Sequence, residues 1–130
     1  MAVLFDDRFP LPDMFDRRCP GRNIMAHVTG RWGGLILTAL LDGTLRYSEL
    51  RARVDGISEK MLVQTLRELR LDGLVLRTSR PVVPPHTEYE LTTSGREVAA
   101  LVGALIRWIE GHVHQVLIAR ECAGDTSLID

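Results

Sequence analysis

A chain of 130 residues suits one domain with one core, and its 45% hydrophobic content is ordinary for a folded protein. No apolar run reaches the roughly 18 residues that a membrane span needs. Two cysteines are too few for a secreted disulfide framework, and MAVLFDDRFPLPD lacks the basic-then-apolar order of a leader peptide, so a cytoplasmic chain is expected. The net charge of −1 does not by itself suggest a nucleic-acid binder, but it is unevenly spread. Residues 46–80 hold eight basic and five acidic side chains, whereas residues 87–130 hold three and seven.

Residues 1–18 contain four acids and two prolines with no helical period, and a flexible N-terminal arm is expected there. Pro20 suits the first position of a short helix, Pro20–Val28, which makes Cys19 its N-cap, and Gly30 ends it. A second helix follows from Trp32 to Leu41, with Trp32, Leu35, Ile36, Ala39 and Leu40 on its apolar face, and Asp42-Gly43 stops it. The third helix begins at Ser48, turns Leu50 and Val54 inward, and gives way to an Asp55-Gly56 turn. Ser58 is a good N-cap for the fourth helix, and Glu59 in its first turn opposes the positive end of the helix dipole. Leu62, Leu66 and Leu69 form its buried stripe with Met61 beside them, which leaves Glu59, Lys60, Val63, Gln64 and Arg67 exposed. Gly73 closes the helix. Val75–Arg80 and Thr87–Leu91 read as strands, and Pro81, Pro84 and Pro85 stiffen the link between them.

Thr92 caps a last helix, about Thr93–Ala119. Its stripe of Val98, Leu101, Val102, Leu105, Ile106, Ile109, Val113 and Val116 is too long for a small domain to cover, so a second copy of the chain is expected against it. The domain is thus expected over residues 19–120, with a flexible C-terminal tail at 121–130. Helix, tight turn, helix and hairpin in this order predict a winged helix-turn-helix: mainly α with a small β-hairpin wing.

That architecture directs attention to one helix face. Lys60, Gln64 and Arg67 are long, polar and on the same side, where Gln can pair with adenine and Arg or Lys with guanine. Ser58 and the free N–H groups beside it can hold a phosphate. Arg77, Arg80 and His86 lie near the hairpin tip, and Arg46 and Tyr47 precede the third helix, all within reach of a DNA backbone. Cys19 carries separate chemistry. A helix N-terminus and Arg17, Arg18 and Arg22 all favour thiolate over thiol, and the thiolate is the form that reacts with oxidants and electrophiles. Cys122 lies in the tail. His112 and His114 are two apart on a helix and face different ways, His27 reads as a packed residue, and no metal site or cofactor is expected.

The segments CPGRNIMAHVTGRW, LLDGTLRYSEL, GISEKMLVQTLRELRLDGLV, PVVPPHTEYELTTSG and IRWIEGH occur in an order that resembles the HxlR-type winged-helix transcriptional regulators, relatives of the MarR group in architecture. The resemblance runs from about Cys19 to His112. It implies a homodimer formed by the N- and C-terminal helices, binding a partly palindromic double-stranded DNA operator, most often as a repressor. It also implies a response to oxidants, quinones or aldehydes through Cys19, and some members form intersubunit disulfides, for which Cys122 is available. Thr29-Gly30-Arg31-Trp32 departs from the usual Gly-Gly-Lys-Trp, and Thr93 stands where proline is frequent. A winged helix can alternatively dock proteins. A small-molecule effector at the dimer interface is a further possibility, for which Trp32, Trp108, Phe15 and Met25 could line a pocket. No nucleophile–base–orienter set, Gly-rich phosphate loop or carboxylate pair can be assembled, so an enzyme is not expected.

Overall fold

A computed structural model describes residue 8 and residues 12–84 and 86–129. Most of the expected N-terminal arm lies outside the described residues. Five helices and three short strands follow in the order α1 (Gly21–Thr29), α2 (Gly33–Ala39), β1 (Leu45–Arg46), α3 (Tyr47–Arg53), α4 (Glu59–Leu71), β2 (Val75–Arg80), β3 (His86–Leu91) and α5 (Thr93–Cys122). A turn of 3₁₀ helix, Leu40–Asp42, extends α2. The strands form an antiparallel sheet in the order β1-β3-β2, and α3, α4 and the β2–β3 hairpin make a winged helix-turn-helix. No single helix among the described residues is long and apolar enough to cross a membrane.

The core forms where these elements meet. Ile36, Leu37 and Leu40 from the α2 region, Leu50 from α3 and Leu62, Leu66 and Leu69 from α4 are its largest fully buried side chains. Tyr89 and Leu91 of β3 and Ala99 and Val102 of α5 close it. The α4 stripe is therefore as its spacing predicts. The α2 face is not, because Leu35 is exposed and Leu37 takes the buried place.

Each end of α4 is fixed by its own sequence. The Ser58 hydroxyl accepts from the Met61 N–H at 3.1 Å. At the far end Leu74 N–H bonds to the Leu69 carbonyl and Gly73 N–H to that of Arg70, each at 3.0 Å. This is the paired closure that a left-handed residue allows, and Gly73 supplies it at φ +75°. Thr92 then ties α5 to the same corner: its hydroxyl donates to the Gly73 carbonyl and accepts the Gly95 N–H.

Several boundaries differ from expectation. Pro20, not Cys19, is the N-cap of α1, so Cys19 stands one residue ahead of the cap position. The third helix starts at Tyr47, and the two residues before it become β1, paired through Leu45 with Tyr89 and Arg46 with Glu88. The last helix runs past Ala119 to Cys122.

Candidate nucleic-acid interface

Helix α4 buries one face and offers the other. Ser58, Glu59, Lys60, Val63, Gln64, Arg67 and Arg70 are all exposed along it. Beyond Arg67 the surface dips into a groove of about 730 Å³ between α4, β2 and the start of α3. Arg67, Arg70 and Arg77 line that groove together with Tyr47 and Tyr89. The nearest carboxylate to Arg67 is Glu68, at 3.8 Å, and among the described residues neither Arg70 nor Arg77 has an ion-pair partner. Three arginines thus line one groove with little opposing charge, an arrangement suited to phosphate oxygens. The Tyr47 hydroxyl at the groove wall is shielded from solvent and has no hydrogen-bond partner among the described residues. Burial, followed by the negative charge of Glu59, holds its phenol above the ordinary tyrosine value.

The basic residues of the hairpin occupy two surfaces. Strand side chains alternate, so Arg77 opposite Tyr89 faces the groove, while Thr78, Arg80, His86, Glu88 and Arg46 share the other side of the sheet. There Glu88 organises the cations. Arg80 reaches it at 3.4 Å and the His86 ring at 3.2 Å, and Arg46 lies directly across in β1. The structure therefore brings Arg67 and Arg77 together on one surface and separates them from Arg46, Arg80 and His86. Arg70 was absent from the residues singled out by sequence. Its position three residues after Arg67 was the available signal. Glu88 could not be found that way, because its role depends on strand register.

Cys19 is buried. The side chains of Met14 and Cys19 crowd the space in front of Gly21. Its neighbouring arginines are partly engaged elsewhere. Arg18 pairs with Asp16 at 2.9 Å, which holds that carboxyl below its usual range, and the Arg22 guanidinium donates to the Met14 and Phe15 carbonyls. Only Arg17 of the three has no such partner among the described residues. Cys122 is exposed at the end of α5. His112 stacks on Trp108 with ring centroids 4.1 Å apart and an interplanar angle of 11°.

A capped helix with an open polar face, set beside an arginine-lined hairpin groove, defines a DNA-binding winged helix-turn-helix of the kind found in transcriptional regulators. Comparison with known proteins gives the family. Residues 27–116 match the HxlR-like helix-turn-helix model, and the chain belongs to that family. It is 50% identical over 109 residues to YtfH, an uncharacterized HTH-type transcriptional regulator of Escherichia coli (strain K12), covering 84% of this chain and 86% of the other. The solved structure of ytfH from Salmonella typhimurium superposes with a TM-score of 0.82 at 53% identity, over 85% of this chain and 98% of that one. The redox regulator HypR in its oxidized form has a TM-score of 0.65 at 35% identity, covering 72% and 96%. The chain is thus a transcriptional regulator with a helix-turn-helix DNA-binding domain, on a fold shared with MarR-like regulators.

Proposed function

We propose that this regulator binds a partly palindromic operator as a homodimer, represses transcription there, and releases the DNA when Cys19 is oxidised or alkylated. The observation that carries the DNA-binding part is the convergence of Arg67, Arg70 and Arg77 on one groove beside the exposed Lys60 and Gln64 of α4. In this reading α4 enters the major groove, with Gln64 and Lys60 on base edges and Ser58 at a phosphate. The arginine groove straddles the neighbouring backbone, and the Arg46, Arg80 and His86 side of the wing meets DNA further out. Homodimerisation is supported by the unpaired apolar face of α5, where Leu105, Trp108, Ile109, Val113 and Val116 are exposed.

The redox part is supported by the position of Cys19 and by the likeness to HypR. Cys19 sits where the turns of residues 13–19 join α1, held by the Arg22 hydrogen bonds. Bonding the buried sulfur at that junction to an oxygen, to a carbon adduct or, with diamide taking the two hydrogens, to the sulfur of a second thiol has to displace Met14 or α1, and a shift of α1 changes the spacing of the two recognition helices. The test is fluorescence anisotropy on a duplex from the intergenic DNA beside the chain's own gene. Reduced protein is expected to bind, diamide to abolish binding and dithiothreitol to restore it, while Cys19→Ser binds regardless of diamide. Cys19→Ser protein that still loses DNA on diamide treatment refutes sensing through this residue. A failure to bind at low salt in any state refutes operator recognition on that duplex.

A further inference from the structure

The exposed strip of α4 carries Lys60, Gln64 and Arg67, and the surface falls away on both sides of it. On one side is the arginine groove, which Arg67 lines. On the other is a smaller cleft of about 210 Å³ between α4 and the α1–α2 turn, which Gln64 lines with Met61, Thr65 and Glu68. Successive helical residues are about 100° apart, so Gln64 and Arg67 stand about 60° from each other, at the two edges of the strip.

The cation beside the Gln64 edge is Arg31. It is exposed, belongs to the turn between α1 and α2, and lines the same cleft. Its guanidinium lies 5.6 Å from the centroid of the Trp32 ring, and no carboxylate among the described residues pairs with it. The platform beneath it is fixed. Trp32 packs against the core, and a Cβ on Gly56, in the turn before α4, would stand 4.0 Å from its Cη2. The turn itself is closed by the Gly30 N–H on the Ala26 carbonyl at 2.9 Å. Behind it His27 Nδ1 is 2.7 Å from the Asp72 carboxylate at the end of α4. A guanidinium laid on an aromatic face keeps its charge and its N–H edge available to an anion. The carboxylate that lines the cleft, Glu68, is one turn beyond Gln64 and has Arg67 at 3.8 Å and His27 Nε2 at 3.5 Å.

A helix in the major groove has a sugar-phosphate backbone on each side of it. In the operator reading above, on which this inference rests, the arginine groove takes one of them. We infer that Arg31 takes the other, as a phosphate contact from the α1–α2 turn, so that α4 is held from both flanks. Such contacts carry no sequence information themselves but fix how a reading helix sits in the groove.

The experiment is anisotropy on the full chain between about 50 and 200 mM salt. It uses the intergenic duplex and a scrambled duplex of equal length, with wild type, Arg31→Gln, Arg31→Lys and Gln64→Ala. A dimer holds one Arg31 in each protomer, so Arg31→Gln is expected to lower the slope of log affinity against log salt by about 2 and to weaken binding to both duplexes by about tenfold at 100 mM salt. Arg31→Lys should keep the wild-type slope. Gln64→Ala should weaken the intergenic duplex alone, with its slope unchanged. Because Arg31 is exposed, Arg31→Gln should match wild type in its urea midpoint and in its sedimentation. A wild-type slope in Arg31→Gln overturns the inference and leaves operator recognition standing. A lower slope with slower sedimentation also overturns it, because Arg31 then acts by joining two chains. Wild type that binds both duplexes equally overturns recognition of that operator, while a slope that still drops in Arg31→Gln upholds the backbone contact.

Discussion

The Tyr47 hydroxyl lies out of solvent without an acceptor, at the wall of the arginine groove. An orphaned buried hydroxyl costs free energy, so Tyr47→Phe is expected to stabilise the free protein by about 1 kcal/mol in urea melts. Its raised phenol adds a pH signature. The proton is retained more firmly in the folded than in the unfolded chain, so this contribution is complete below the unfolded value of about 10 and declines only above it. Tyr47→Phe should therefore flatten part of the alkaline loss of stability. Ser58 makes the opposite case. Its hydroxyl satisfies the Met61 N–H, and Ser58→Ala should cost about 1 kcal/mol in the same melts. The two residues differ in how well sequence reveals them. Ser58 acts on a partner three residues away and can be read from local pattern. The state of Tyr47 depends on what the fold places around it.

The same distinction holds for whole elements. Helix α4 was legible at both ends because its cap, its leucine stripe and Gly73 are all local signals. Strand β1 was not, since two residues make a strand only when a partner is alongside, and β3 provides it from more than forty residues away. The exchange of Leu35 for Leu37 on the buried face of α2 has a related origin. The direction from which α5 and α4 cover α2 decides which leucine is hidden, and α2's own periodicity allowed both. Glycines mark the closest of these approaches. A Cβ on Gly95 would run into the Leu74 carbonyl oxygen, so α5 starts directly against the end of α4. Gly95→Ala has to push that backbone apart and is expected to destabilise the fold by about 2 kcal/mol, read as a lower urea midpoint with an unchanged slope. Gly111→Ala in the same helix meets open space and should instead stabilise slightly, by up to about 1 kcal/mol.

At the scale of the molecule, the division of α5 decides what one chain can do alone. Thirty residues make a helix about 45 Å long, and the small domain covers only the first part. Val98, Ala99, Val102 and Ile106 pack on the core, while Leu101, Leu105, Trp108, Ile109, Val113 and Val116 remain open. From sequence this was one broad stripe; the structure splits it into a face already used and a face left over. A second copy would bury the open face. It would also set two α4 helices at a fixed separation, which a partly palindromic operator requires to be about one helical turn, roughly 34 Å. The double variant Leu105→Glu/Ile109→Glu tests this without touching the core or the DNA surface. Wild type should sediment at about twice the 14.6 kDa chain mass and the variant at that mass, with an unchanged helical spectrum. Each monomer keeps its own half-site contacts but loses the linkage between them. Operator affinity should then fall by about 100-fold or more while the arginine groove remains intact. Salt separates that loss from damage to the interface. A dimer making six or more phosphate contacts should weaken by about 10³ between 50 and 200 mM salt. The monomeric variant should show about half the slope on a logarithmic plot, because it releases half as many counterions. A variant that stays dimeric, or that becomes monomeric and keeps the full salt slope, would remove α5 as the element joining two DNA-binding surfaces.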